Sequence, residues 1–200
     1  MIYSRSLAVN EDIQPNKRAF IVDNFYKDPM AVREFALEQN FVENEYYIGR
    51  RTEQQFLIPG IKEAFESILG RRITEWESHG MNGRFQWNKA GDPLVWHSDG
   101  QRWAGMIYLT PGAPEWSGTN TYVHRETKKH HVSQVDDLGE IYNQKTFLDP
   151  APYDELDRFG NMFNRLVIFD GQCIHAAGGY FGWDAESARL WHMFFFDAED

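Results

Sequence analysis

The hydrophobic positions near the start of the chain change from a strand pattern to a helix pattern. Residues 19–25, AFIVDNF, are rich in β-branched and aromatic side chains, which predicts a short strand. Asp28 followed by Pro29 is typical of a helix N-cap with proline at the first helical position. The apolar spacing that follows predicts a helix over 30–39, and its inward face would carry Val32, Phe35 and Ala36.

A second helix is predicted over residues 60–68. Its apolar residues Ile61, Phe65 and Ile68 are spaced four and three apart, so they share one face. Gly70 then supplies a typical helix stop. Helices that precede a strand-rich region indicate an α+β protein.

From residue 84 onward the pattern changes to short strands separated by glycine and proline turns. Several of them alternate apolar and polar residues, which suits an antiparallel sheet with one face toward a core or cavity. We therefore expect one mainly β domain over 1–200, with a strand and supporting helices over 1–80 and a sandwich or jelly-roll core over 81–200. The predicted strands are 84–88, 94–97, 104–109, 119–123, 165–169 and 189–196.

The stretch over about 126–164 differs from its surroundings. It has many charges, weak periodicity and the turn-prone run DPAPYDELDRFGN. It is too long for an ordinary connection in a compact domain, so it is interpreted as an insertion or lid near the working end of the barrel. A solvated loop without a catalytic part is the alternative.

Composition narrows the function classes. The net charge of −10 argues against general nucleic-acid binding, because the phosphate backbone attracts basic surfaces. Cys173 is the single cysteine, which excludes an internal disulfide and a Cys-only zinc site. The first twenty residues have no uninterrupted apolar core, and no apolar stretch is long enough for a membrane span, so we expect a cytoplasmic protein without a signal peptide. The sequence does not indicate the oligomeric state.

The segment VWHSDG places His97 and Asp99 two residues apart. In a strand such residues point to the same face, so both side chains could reach one metal ion. Imidazole and carboxylate together suit iron, manganese or zinc. The pair alone is near chance frequency, but it ends a strand-like run and is followed by glycine and a second aliphatic strand, AGMIYLT.

A third ligand is needed, and His175 is the preferred candidate. It follows the apolar strand LVIF and the turn DGQC, at the start of another strand, so two strands of one barrel could bring it beside His97. Two histidines and one carboxylate form the facial triad of non-haem iron(II) oxygenases. His124 is the main rival because it ends a strand-like run; the other histidines are His79, His192 at mid-strand, and His130 and His131 in the polar insertion, which look solvated.

Arg189 begins the last strand, RLWHMFFF, whose alternation places Arg189, Trp191 and Met193 on one face. A planar guanidinium suits a carboxylate; if 2-oxoglutarate is a cosubstrate, Arg189 could hold its distal carboxylate, and the Tyr108 hydroxyl could donate to the same group. A surface arginine paired with an acid, and a core tyrosine, are the alternatives. Trp87 and Trp103 could line the pocket, or simply pack in the core.

In the order of these residues along the sequence, the chain resembles the iron(II)/2-oxoglutarate-dependent dioxygenase superfamily, on its prolyl-hydroxylase-like branch. The resemblance rests on WHSD, AGMIYLTP, the GT of SGTNTYVH, RLVIFDGQCIHAAGG and RLWHMFFF, which cover roughly residues 80–196. The opening IVDNFYKDP also looks like the start of many such domains. The order and spacing of these pieces are more specific than any one of them.

The resemblance implies a double-stranded β-helix, a jelly-roll or cupin-like fold, with the N-terminal helices packed on one side. It implies that His97, Asp99 and His175 bind Fe(II), and that Arg189, assisted by Tyr108, binds 2-oxoglutarate. The further implied requirements are O2 and, as a candidate stimulant, ascorbate. The chain departs from the pattern in the long spacing from His175 to Arg189, which carries the insert GGYFGWDAE.

The expected activity is hydroxylation of a peptidyl residue, an amino acid or a small metabolite, with release of succinate and CO2. Two other functions stay open: a cupin-like metalloenzyme that does not use 2-oxoglutarate, and a non-catalytic jelly-roll binding module. The resemblance cannot choose the substrate, since one fold hosts many activities. The candidate substrate contacts, which lie near the edges of the motifs, are Trp87, Arg102, Trp103, His124 and Arg125.

Overall fold

The computed structural model describes residues 18–142 and 146–199, so the expectation that the first residues are not a signal peptide lies largely outside it. The helices are α1 (Pro29–Leu37) and α2 (Ile61–Leu69). The strands are β1 (Ala19–Val22), β2 (Phe41–Asn44), β3 (Tyr47–Thr52), β4 (Ile73–Glu75), β5 (Arg84–Asn88), β6 (Trp103–Tyr108), β7 (Thr119–His124), β8 (Tyr153–Phe159), β9 (Leu166–Asp170), β10 (His175–Ala177) and β11 (Arg189–Ala198).

Both predicted helices are present, with bounds that differ from the predicted ones by one or two residues. The Asp28 side chain accepts a hydrogen bond from Ala31 N at 3.0 Å and caps α1, and Gly70 ends α2 in the left-handed conformation at φ 68°. α1 differs in its buried face, because Arg33 and Ala36 are buried while Phe35 is 41% exposed. The Arg33 guanidinium is satisfied there by the carbonyl oxygen of Leu109 at 2.8 Å.

A large antiparallel sheet forms the centre of the molecule. Its strand order is β1-β9-β6-β11-β5-β3-β2, and β4 also pairs with the far end of β11. β11 is the longest strand and is paired on both sides, with β5 and with β6. One face of this central strand packs on the helices and the other faces the second sheet. Successive side chains of RLWHMFFF therefore alternate between these two environments, as predicted.

A smaller sheet of β10, β7 and β8 faces the large one, which gives the jelly-roll arrangement predicted from the sequence. β8 lies within 126–164, the stretch interpreted as an insertion or lid, so this part of the stretch belongs to the small sheet. Its charged sequence YDELDRF is a strand paired with β7, from Thr119 opposite Phe159 to His124 opposite Tyr153. A strand whose side chains largely face water needs no apolar alternation, which is why its pattern was uninformative.

The two faces of the large sheet bury different sets of residues. The outer face packs on α1 and α2 through aromatic residues such as Phe65, Phe85 and Phe194. The inner face, which meets the small sheet, carries Tyr108, Trp191 and Met193. The inner layer is incomplete, and the space left between the sheets is a cavity. No helix in the described part of the chain is long and apolar enough to cross a membrane.

One predicted strand is wrong, and three strands besides β8 were not predicted. Residues 94–97 are extended without a ladder, and only His97 makes an isolated bridge, to His175. β2, β3 and β4 were not expected, because FVEN, YIGRRT and ITE are short and lack an apolar alternation. Their strand conformation depends on partners far along the chain.

Candidate metal centre and its cavity

Backbone hydrogen bonds bring His97 and Asp99 next to His175. His97 N donates to His175 O at 3.0 Å, and His175 N donates to His97 O at 2.8 Å. Asp99 N donates to Gly171 O at 2.7 Å, which anchors the other end of the segment. The three side chains therefore converge at one end of the cavity, as predicted, although through a single bridge instead of a full strand.

The donor atoms of the three residues have the spacing of a metal site. All lie within 4.8 Å of one another. Asp99 Oδ1 is 3.6 Å from His97 Nε2, and Asp99 Oδ2 is 3.5 Å from His175 Nε2, which is too long for good hydrogen bonds. Asp99 Oδ2 is buried and has no hydrogen-bond partner in the described part of the chain. A buried carboxylate oxygen without a partner is costly, so the arrangement fits a cation bound between these groups.

Both histidines are oriented so that Nε2 is free to bind. His97 Nδ1 lies 3.0 Å from Val95 O, and His175 Nδ1 lies 2.9 Å from Cys173 O. Each Nδ1 must donate its proton to the carbonyl oxygen, which leaves the lone pair on Nε2. Burial, and then the neighbouring His97, lower the pKa of His175 to about 4, so its imidazole is neutral at neutral pH, as a metal ligand requires.

Among the remaining histidines, His79 borders the same cavity without joining the cluster of donor atoms, and the others serve different contacts. His192, on the outer face of β11, is fully buried, with Nδ1 2.7 Å from the Tyr26 hydroxyl and Nε2 3.0 Å from Gly83 O. His124 accepts hydrogen bonds within its own turn, from Thr127. His131 is not solvated as expected: its Nε2 lies 3.3 Å from Asp170 Oδ1.

Arg189 lies at another part of the cavity wall and is 1% exposed. Its Nε donates to Ser117 O at 2.6 Å, and its Nη2 lies 3.3 Å from Thr119 Oγ1. The guanidinium also stacks 4.1 Å from the Trp191 ring. Within the described residues no carboxylate pairs with it, and its Nη1 has no hydrogen-bond partner. A buried cation without a counter-ion is expensive, which suits a site for an anionic ligand.

The long connection from His175 to Arg189 does not move Arg189 out of the cavity. The loop leaves β10 with Gly178 N bonded to Gly118 O at 2.9 Å, and returns through a turn in which Ser187 N donates to Asp184 Oδ1 at 2.8 Å. Its inward residue, Tyr180, lines the cavity. The additional residues thus contribute to the wall, and β11 still begins at Arg189.

Tyr108 lies behind this wall. It is fully buried, and its hydroxyl is 3.1 Å from Thr119 Oγ1, the same oxygen that Arg189 approaches. Thr119 lines the cavity, whereas Tyr108 does not border it. The structure therefore places Tyr108 where it orients Thr119 and Arg189, one layer behind any ligand.

The five residues expected to meet substrate all lie elsewhere, which corrects that expectation. Trp87 packs against Phe41 and under Arg50, and Trp103 is buried in the outer core. Their strand positions put these rings on the helix-facing side of the sheet. The other three lie outside the cavity: the Arg102 backbone nitrogen bonds to Asp197, and both His124 and Arg125 border a separate shallow cleft.

The cavity has a volume of about 610 Å³, enough for more than one small molecule. Sequence reasoning missed most of its wall. Phe147, from the segment interpreted as a lid, borders it, and Phe147 O accepts a hydrogen bond from Trp96 N at 2.8 Å. The other wall residues without a sequence signal include Tyr47, Arg51, His79, Gln86 and Tyr180.

Comparison with solved structures identifies proteins that share the fold. HygX from Streptomyces hygroscopicus with nickel and 2-oxoglutarate bound has a TM-score of 0.60 at 11% sequence identity, over 90% of this chain and 82% of that one. The HygX structure that also contains hygromycin B has a TM-score of 0.61 at 10% identity, with the same coverage. The chain has the same fold as HygX.

A third structure agrees with this assignment. SnoN, a non-heme alpha ketoglutarate dependent epimerase from nogalamycin biosynthesis, has a TM-score of 0.54 at 12% identity, over 89% of this chain and 78% of that one. No protein-family model and no curated protein sequence matches the chain. The double-stranded β-helix implied by the sequence resemblance is confirmed; identities this low show the fold alone.

Proposed function

We propose that the chain is an iron(II)- and 2-oxoglutarate-dependent oxygenase that hydroxylates a small-molecule or peptide substrate and releases succinate and CO2. The observation that carries the proposal is one cavity with two complementary features. His97, Asp99 and His175 converge around an unpartnered buried oxygen of Asp99, and Arg189 adds a buried cation without a counter-ion. A metal ion and an anionic cosubstrate would satisfy both.

His97, Asp99 and His175 would hold the iron, and two neutral imidazoles with one carboxylate are a donor set suited to it. When bound, iron(II) with 2-oxoglutarate and O2 supplies the oxidising power for attack on a C–H bond. The chain itself binds and orients the reactants. Arg189 would hold the distal carboxylate of 2-oxoglutarate, and the Tyr108 hydroxyl would keep Thr119 in position beside it.

The cavity wall also restricts water around the reacting groups. Trp191 and Met193 form an apolar surface on β11, and Phe147 borders the cavity from the other side. Substrate placed against these side chains would displace water, which strengthens electrostatic interactions inside the site. The Asp99 carboxylate would occupy one ligand position of the metal. Because no room for a halide ion is left at that position, hydroxylation is favoured over halide transfer.

Arg189 distinguishes this proposal from a cupin-like enzyme that does not use 2-oxoglutarate. Such an enzyme would keep the three metal ligands but would have no use for a buried, unpaired guanidinium in the same cavity. A non-catalytic binding module would have no use for the converging histidines and Asp99. The proposed function accounts for both features.

The test is succinate formation by purified protein with Fe(II), ascorbate and 2-oxoglutarate. We expect slow turnover without substrate, abolished in His97→Ala and in His175→Ala. His124→Ala is the matched control, since this histidine borders a different cleft and should keep full turnover. Full turnover in both ligand variants, or failure of 2-oxoglutarate to bind the nickel-loaded wild type, would overturn the proposal.

A further inference from the structure

Arg51 is a second cation in the cavity. It lies on β3, opposite Gln86 on β5, and Gln86 in turn lies opposite Trp191 on β11. Residues directly opposite one another in a sheet share a face, so Arg51 lies on the same inner face as Trp191 and Arg189. Arg51 borders the same cavity as the three candidate metal ligands.

The Arg51 side chain is held in place without a close ion pair to any described carboxylate. Its Nε donates to Gln86 Oε1, its Nη1 approaches Met81 Sδ at 3.7 Å, and its guanidinium stacks 4.1 Å from the Tyr47 ring. In the described ranges no carboxylate lies within ion-pair distance of it, and its Nη2 makes no hydrogen bond. Burial lowers the pKa of Arg51 to about 10, so it is still cationic at neutral pH.

The adjacent Arg50 shows what an ordinary structural arginine of this strand does. Its Nη1 lies 2.8 Å from Asp92 Oδ2, and its Nη2 lies 2.6 Å from Glu43 Oε1. It also stacks over the Trp87 ring on the helix side of the sheet. The two neighbouring arginines thus point to opposite faces, and the one that borders the cavity forms no ion pair with a described carboxylate.

A row of hydrogen bonds fixes the cavity wall around Arg51. Gln86 Nε2 donates to Asn88 Oδ1 at 2.7 Å and to Ile48 O at 3.0 Å, which directs its Oε1 toward Arg51. Asn88 fits because Gly49 has φ 95° and no side chain; a Cβ there would come within 2.3 Å of Asn88 Oδ1. The guanidinium is therefore preorganised, which lowers the entropic cost of binding.

Arg51 and Arg189 are fixed by separate hydrogen-bond partners, Gln86 for Arg51 and Ser117 for Arg189. The strand register separates their Cα atoms by two strands across and two residues along, or ~12 Å. Tyr180 is near both arginines: its ring centroid is 5.9 Å from the Arg189 guanidinium, and the positive charge of Arg51 also acts on its hydroxyl. The cavity therefore offers two separate anion positions.

We propose that Arg51 binds a carboxylate of the substrate, so that the enzyme acts on a small organic acid. This inference rests on the proposed function, which assigns Arg189 to 2-oxoglutarate and leaves Arg51 for the molecule to be oxidised. The planar fork of a guanidinium matches a carboxylate. A phosphate would call for more positive charge, and Arg51 and Arg189 are, apart from the histidines, the only basic side chains among the described residues that line the cavity.

The test compares carboxylic acids with their methyl esters on nickel-loaded protein saturated with 2-oxoglutarate, which fills the position at Arg189. The probes are benzoate, hexanoate and the N-acetylated L-amino acids, each beside its ester, with binding followed by calorimetry. We expect at least one acid to bind the wild type about 10- to 100-fold more tightly than its ester. Arg51→Gln should remove this preference, and Arg51→Lys should keep part of it.

Arg158→Gln is the matched control, because Arg158 is an exposed arginine paired with Glu155 outside the cavity. It should keep the acid preference, and thermal unfolding of every variant monitors folding. The inference is overturned if no acid binds better than its ester, if Arg51→Gln keeps the preference, or if Arg51→Gln weakens 2-oxoglutarate binding instead. If 2-oxoglutarate does not bind the nickel-loaded wild type, the proposed function itself fails, and the two failures are thus distinguished.

Discussion

His97 and His175, 78 positions apart in the sequence, are joined by two reciprocal backbone hydrogen bonds of 3.0 and 2.8 Å. The bridge brings their ring centroids to 4.3 Å and places Asp99 beside both. Because the backbone holds this pair, the geometry of the centre depends on the chain around it as much as on the three side chains.

Gly171 is one such backbone position. A Cβ there would lie 3.0 Å from Asp99 Oδ2 and 3.1 Å from Gln101 O. Gly171→Ala should therefore displace the carboxylate and weaken nickel or iron binding about 10-fold, in the range seen when the support of a metal ligand is disturbed. Metal titration by calorimetry measures this. Gly100→Ala is the control, since a Cβ there has no neighbour within 4 Å; equal affinities of the two variants would refute the prediction.

Replacing Arg189 by lysine should weaken 2-oxoglutarate binding about 10- to 100-fold. Lysine keeps the charge but loses the planar fork that Ser117 O and Thr119 Oγ1 hold in place. The dissociation constant of 2-oxoglutarate from nickel-loaded protein is the measurement. Arg158→Lys should leave this constant unchanged. An unchanged constant in Arg189→Lys would show that Arg189 does not bind 2-oxoglutarate.

Tyr108→Phe should have a smaller effect on the same constant, about 2- to 5-fold, since the lost hydroxyl contacts Thr119 and not the cavity. Thr119→Val, which changes a residue of the wall, should have the larger effect. The same titration of 2-oxoglutarate shows which of the two variants loses more affinity. A larger loss in Tyr108→Phe would show that its hydroxyl contacts the ligand directly.

Acid should destabilise the metal-free fold through His192. Burial lowers the pKa of His192 to about 3, below the usual value of 6.5, so the unfolded chain takes up a proton that the folded chain does not. The stability that depends on neutral His192 is fully present above pH 6.5 and is lost as the pH falls toward 3. The free energy of unfolding should drop by about 2 kcal/mol between pH 7 and pH 5 from this residue alone.

Urea unfolding at the two pH values measures this drop. His175 is also buried with a lowered pKa, so the free energy of unfolding of the wild type should fall by more than the about 2 kcal/mol due to His192. In His192→Gln the fall should be smaller than in the wild type by the contribution of His192. An identical pH dependence in His192→Gln and the wild type would contradict the assignment.

Local signals explain which elements the sequence predicted. The Asp28 cap and Pro29 defined the start of α1, and the spacing of Ile61 and Phe65 with Gly70 defined α2, since these features act within one or two helical turns. The alternation of RLWHMFFF predicted which residues of β11 face the cavity. The three candidate ligands came from motif context, and the structure brings them together.

Other parts could not be predicted because they depend on pairing between distant segments. β3 contains Gly49 and two arginines and has no apolar alternation, and β8 is mostly charged; each is a strand because it pairs with β5 or β7. The expected substrate contacts were chosen by nearness to motifs along the chain. Trp87 and Trp103 lie on strands whose other face lines the cavity, so nearness in sequence led to the wrong side of the sheet.

The sequence by itself determined the two helices, the main strands, the mainly β class and the three residues of the candidate metal centre, because caps, periodicity and motif order are local properties. Only the tertiary structure decided that Arg51 shares a cavity with His97 and Arg189, that Tyr108 lies behind Thr119, and that β8 completes the small sheet. These depend on strand register, which is set by long-range pairing and by which face of each strand is buried.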